Sequence, residues 1–173
     1  RNRYTEAWRA FGASVPRPRA ILAVSAHWHV GALAVTAMPR PRTIHDFYGF
    51  PQALFDVQYP APGLPELAEE VADAVSPDRV GADLDGWGLD HGTWGVLVHA
   101  LPVADIPGVH LALAASQPLA AHLCLLARGV RAPAQAHASP PQSAGRQLHL
   151  TDRDLGLWLR ILPQAPAAAV AAS

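Results

Sequence analysis

Cysteine is almost missing from this 173-residue chain, with Cys124 its single thiol. No intrachain disulfide can form, a cysteine-ligated zinc site is excluded, and a reducing, cytoplasmic setting is the expectation. Lysine is missing altogether: all 13 basic residues are arginine, set against 14 acids for a net charge of −1. That balance leaves no basic footprint for nucleic acid and no polybasic patch for a membrane surface. No apolar run approaches the roughly 20 residues of a membrane-spanning helix. Arg1-Asn2-Arg3 leads into a mixed polar segment and not into the apolar core of a signal peptide. There is no initiator methionine, so an incomplete N-terminus is expected. The chain also contains no GxSxG, Walker loop, GxGxxG, HExxH or CxxC, which removes several nucleophile, nucleotide and metal motifs.

Half of the residues are apolar, enough for a buried core in one domain. Tyr4 to Ala13 reads as a helix ended by Pro16-Arg17-Pro18. Ala20 to Ala26 (AILAVSA) is a continuous apolar run, the pattern of a strand covered on both faces, and Ala32 to Ala37 reads as its neighbour. The long loop PRPRTIHDFYGFP follows, too aromatic to be read as disordered. Pro65 to Val75 has proline at its start, acids in its first turns and an apolar stripe, so it predicts a helix. Val80 to Leu84 reads as a strand. GWGLDHGTWG reads as a glycine-rich turn into a helix over Val96 to Leu101. Val109 to Ala115 predicts a second buried strand, and Leu119 to Ala127 a helix. Strands alternating with helices predict an α/β fold, a central mostly parallel or mixed sheet flanked by helices.

Beyond Gly129 the pattern changes. The expectation is an incomplete domain over 1–128 and an atypical Ala/Pro-rich tail over 129–173, packed poorly against it. That tail reads as low-complexity chain or as GC-rich DNA translated out of frame. Within it, Leu155 to Leu162 is the one stretch expected to form an element.

Nine histidines carry the remaining chemistry. His99, His110 and His122 fall inside expected elements and read as packed or surface residues, and His137 and His149 lie in the tail. His27 closes an apolar strand, where ligands of α/β sheets gather, and neutral imidazole is a common metal ligand. His29, two residues on, reads as a rim residue or a second ligand. His91 sits among glycines and tryptophans, an environment suited to proton transfer. His45, beside Asp46 in the aromatic loop, is a weaker candidate of the same kind, since that carboxylate can also simply cap a turn.

Taken as a set, SAHW after the strand, TIHDFYGFPQALFDVQYPAPG and GLDHGTWGVLVHALPVADIP resemble the class III extradiol ring-cleaving dioxygenases. The resemblance is to the 4,5-DOPA dioxygenase-type branch with its LigB-like fold, and it runs from about Tyr4 to about Ala127. It implies a metal-dependent enzyme that opens a catechol-type, DOPA-like ring beside its hydroxyls and inserts both atoms of O2. It further implies a mononuclear non-haem Fe(II), with zinc as the alternative, and a small catechol and O2 as partners. By the same resemblance His27 is a metal ligand, His91 is the acid/base and a substrate contact, and His45 is a substrate-side residue. His29 inherits no role. The family's Gly-His-Gly strand and Val-His-Asn motif have no counterpart here. This chain therefore counts one family ligand, and weak metal binding without ring cleavage is expected of it alone. Two other readings stay open: an inactive fragment or small-molecule/metal-binding homologue, and a zinc-dependent hydrolase on the same fold.

Overall fold

The computed structural model describes residues 2–115 together with the strand segments 147–149 and 157–162. The expected helix over Leu119 to Ala127, and Cys124 within it, lie outside the described residues. Helix α1 (Arg3–Ser14) opens on a capping box: the Asn2 side chain accepts from the Tyr4 and Thr5 amides, and Thr5 Oγ1 accepts from the Asn2 amide.

Strand β1 (Ala20–Val30) is the spine. Its residues through Ser25 are buried, and alternation divides them between two cores. Ala20, Leu22 and Val24 pack with Leu67, Ala68 and Val71 of helix α3 (Pro65–Ala74), which follows the one-turn helix α2 (Gln52–Phe55) in the chain. Ile21 and Ala23 pack with Trp94, Val96 and Leu97 of helix α4 (His91–Ala100). A strand clad on both sides needs the near-continuous apolar run seen here, and each fully buried Leu, Ile or Val contributes about 1.5–3 kcal/mol.

Strands β2 (Ala34–Thr36), β4 (Gly81–Asp83), β6 (Gly108–Ala114), β7 (Gln147–His149) and β8 (Leu157–Leu162) complete a six-stranded sheet of order β4-β2-β6-β1-β8-β7. The pairs β1·β6 and β2·β4 are parallel; β2·β6, β1·β8 and β7·β8 are antiparallel. The sheet is thus the mixed form of the expected α/β architecture. Among the described residues, no helix is long and apolar enough to cross a membrane.

Two expectations are corrected. β1 does not end at Ala26 but runs on to Val30, because His29 and Val30 still pair with Leu113 and Ala114 after the apolar run is over. The expected glycine-rich turn is a two-residue strand, β5 (Gly88–Leu89), followed directly by α4, which begins at His91 and not at Val96. Asp90 caps that helix by accepting from the Thr93 amide at 2.9 Å, which offsets the weak helix propensity of its glycines. Of the tail expected over 129–173, the described residues are 147–149 and 157–162; within the stretch Leu155 to Leu162 expected to form an element, β8 pairs residue for residue with β1 from Ala20↔Leu162 to Ser25↔Leu157. Its LWLRIL sequence includes Trp158 and Ile161, residue types enriched in strands.

Candidate active site

A second, two-stranded sheet places the site. β3 (Arg42–Thr43) pairs in parallel with β5, Arg42 opposite Gly88 and Thr43 opposite Leu89. The Ile44 amide donates to the Leu89 carbonyl at 2.7 Å, and Trp94 Nε1 donates to the Ile44 carbonyl at 2.8 Å. Parallel strands in register end side by side, so the residues just past each, Asp46 and His91, become neighbours although 45 residues separate them. A side chain at Gly88 would run into the Arg42 carbonyl, which is why this pairing requires glycine.

The third member arrives from β1. Between Val24 and His29 that strand takes five steps while its partner takes two, from Leu111 to Leu113. The extra residues form a bulge, the device that re-aims side chains beside functional sites. His27 lies in this bulge, half-buried, with its ring edge against Gly92 in the first turn of α4. A Cβ at Gly92 would stand 2.8 Å from His27 Cδ2.

The three side chains meet. The His27 and His91 rings are 4.2 Å apart, edge to face at 65°. His27 Nδ1 is 3.1 Å from Asp46 Oδ2, and His91 Nδ1 is 2.8 Å from Asp46 Oδ1. The His91 amide also donates to Asp46 Oδ1, at 3.0 Å. Burial by itself pushes the Asp46 carboxyl up. The hydrogen bonds from the His91 amide and ring, aided by the Asp46 peptide and the charge of His91, outweigh it and hold the carboxyl below its ordinary range. One potential ligand atom from each of His27, Asp46 and His91 lies within 4.8 Å of the others, close enough to hold one metal ion. Two imidazoles and a carboxylate suit non-haem iron or zinc.

The model for the catalytic LigB subunit of aromatic ring-opening dioxygenase matches residues 2–124. The chain belongs to this family. It is 52% identical over 121 residues to a 4,5-DOPA dioxygenase extradiol of Escherichia coli K12, covering 70% of this chain and 45% of that protein. It is 40% identical over 114 residues to the protein of the same name from Beta vulgaris, covering 64% and 42%. Among solved structures it resembles JW3007 of Escherichia coli K12, described as uncharacterized, at a TM-score of 0.57 and 43% identity, over 70% of this chain and 44% of that one. The chain thus spans under half the length of these relatives.

Of the residues expected from sequence, His27 and His91 come together in this LigB-family site, while His29 is exposed beyond them. His45 does not join the ligand cluster. Its Nε2 donates to the Val57 carbonyl at 2.9 Å, and its ring packs against Phe47, Phe55 and Trp94. Phe47 in turn stands edge-on to His91, 5.2 Å between centroids, so His45 belongs to an aromatic wall beside the cluster. Asp46 and His91 also bring potential donor atoms within 4.8 Å of His27. Asp46 is the residue that sequence reasoning undervalued; its signal was the acid next to His45 in a loop rich in aromatics.

Behind the site lies a fully buried pair. His110 Nε2 is 3.4 Å from Asp90 Oδ2, His110 Nδ1 donates to the Gly88 carbonyl, and the His110 amide donates to Thr36 Oγ1 at 2.8 Å. Burial lowers the His110 pKa, against the pull of Asp90 and the Gly88 carbonyl. Asp90 thus serves α4 twice: one carboxylate oxygen caps the helix and the other faces His110.

Proposed function

We propose that this site belongs to a metal-dependent extradiol dioxygenase that opens a catechol-type, DOPA-like ring with O2. The supporting observation is the meeting of His27 and His91 on Asp46, two imidazoles of which one can hold a metal while the other moves a proton. His27 is the metal ligand in this reading, with Fe(II) the proposed ion and zinc the alternative. Fe(II) would bring catechol and O2 together and supply the electron transfer that ring opening needs, whereas zinc, with no redox chemistry, would supply only the first.

The chain's own residues do the rest. His91 stands at the first position of α4 with Nδ1 bound to a carboxylate, so its ring can accept a catechol hydroxyl proton and later return it. A neutral imidazole can accept a proton on its free nitrogen, and the imidazolium so formed can give it back. Phe47, Trp94 and His45 wall one side of the cluster, and a flat aromatic substrate packs on such faces. His45 is assigned to the substrate side of that wall. The cytoplasm, reducing enough to keep Fe(II), is the proposed setting.

The test is oxygen uptake with a catechol after anaerobic Fe(II) loading, on the whole protein containing this segment. His91→Ala should keep metal content and lower turnover by about 10²–10⁴-fold. His27→Ala should lose the metal. The reverse pattern exchanges the two roles, and metal binding without oxygen uptake favours a binding homologue.

A further inference from the structure

We infer that Asp46 is a positioning residue and not a third metal ligand: its carboxylate fixes both imidazoles with hydrogen on Nδ1, leaving Nε2 of each ring as the working lone pair. The inference rests on the reading that His27 holds the metal and His91 moves the proton.

A neutral imidazole has one N–H and one lone pair, and an ionised carboxylate has acceptors only. Nδ1 of His91 at 2.8 Å and Nδ1 of His27 at 3.1 Å both face Asp46 oxygens, so each must carry a hydrogen to make a favourable contact. Asp46 Oδ1 accepts a second donor, the His91 amide at 3.0 Å. That amide is one of the donors left without a partner at a helix start, and a metal ion cannot replace it there. With Oδ1 doubly engaged and Oδ2 facing His27, three of the carboxylate's roughly four acceptor sites are taken. The same contacts set the rings at 65° to one another, 4.2 Å apart.

The consequences differ for the two rings. For His27, a carboxylate on Nδ1–H raises the basicity of Nε2 and fixes the ring plane for a metal. For His91, the same contact stabilises the imidazolium formed when Nε2 takes a proton, and releases it again when the proton is returned. One carboxylate therefore couples the two roles.

The test needs neither catechol nor O2. Long-range proton–nitrogen correlation spectra of the 173-residue chain, labelled with 15N-histidine and held near pH 8 so that ordinary imidazole is neutral, report which nitrogen carries hydrogen. His27→Gln and His91→Gln assign the signals. Both rings should be Nδ1–H, and Asp46→Asn should convert at least one to Nε2–H, because an amide side chain can accept from one ring but not both. Asp46→Glu should restore part of the Nδ1–H signal. Added zinc should leave both Nδ1–H signals in place, and Asp46→Asn should weaken its binding by about 10–100-fold. Wild-type rings protonated on Nε2, or loss of an Nδ1–H signal when zinc binds, would overturn the proposal. If Asp46→Asn does not fold, or zinc does not bind, the wild-type tautomers alone decide. Failure of oxygen uptake leaves these spectra unchanged, so the two ideas fail separately.

Discussion

Gly92→Ala tests whether the first turn of α4 seats the His27 ring. The added Cβ would lie 2.8 Å from His27 Cδ2 and 3.1 Å from both His27 Nε2 and Ser25 Oγ. Carbon pairs rest at about 3.5–4.0 Å, so the ring must retreat by about 0.7 Å. Its contact with Asp46, at 3.1 Å, is already close to the upper limit of about 3.2 Å for an N–H···O bond. The clashing Cδ2–Nε2 edge lies opposite Nδ1, so a shift of that size displaces Nδ1 from its contact geometry with Asp46. For the fold the two effects nearly cancel. Alanine gains about 1 kcal/mol over glycine in a helix, against about 1–3 kcal/mol for overpacking. Urea denaturation should therefore show a loss of no more than about 2 kcal/mol, while the His27 ring signals move and zinc binding weakens by about 10-fold or more. An intact fold with unchanged His27 signals and zinc affinity would refute the reasoning, since the ring would then not depend on the bare backbone of Gly92.

Asp90→Ala removes a helix cap, about 1 kcal/mol, and takes the carboxylate oxygen away from His110 in a fully buried site, about 1–3 kcal/mol more. Urea midpoints should therefore fall more than for Asp90→Asn, which keeps the cap; an Asp90→Ala loss no larger than the cap's about 1 kcal/mol would show that the His110 contact contributes nothing. Tyr59 is buried with its hydroxyl donating to the Leu101 carbonyl at 2.8 Å, so Tyr59→Phe should cost about 1 kcal/mol, read from the same curves. Asp46 has a depressed carboxyl pKa in the fold, so its stabilisation is full above the ordinary value of about 3.9 and is lost as pH falls through the lower folded value. Urea midpoints followed from about pH 6 to pH 2 should show a shallower acid decline for Asp46→Asn than for wild type; identical declines would mean that the hydrogen bonds to His91 are not present in solution.

The elements legible in the sequence are those whose signal is local. The apolar run of β1 and the proline start and Leu67–Ala68–Val71 stripe of α3 can be read because burial on two faces, or along one helix stripe, imposes a pattern on consecutive residues. His27 could be read from its place at the end of such a run. The start of α4 could not, because its two glycines speak against a helix and the Asp90 cap that favours it is a single side chain.

What consecutive residues do not encode is which distant segments touch. Strands of two residues have no periodicity, so the β3·β5 pairing that brings Asp46 to His91 left no mark in either segment. The same holds for the bulge that turns His27 toward Gly92, which exists only as a mismatch of register with β6, and for the meeting of Asp90 with His110. The buried stretches of β1 and α3 were determined by the sequence alone, because burial selects their residue types position by position. The tertiary structure alone decided that His27 and His91 share one carboxylate, because a contact of about 3 Å across 45 residues depends on how separate elements pack.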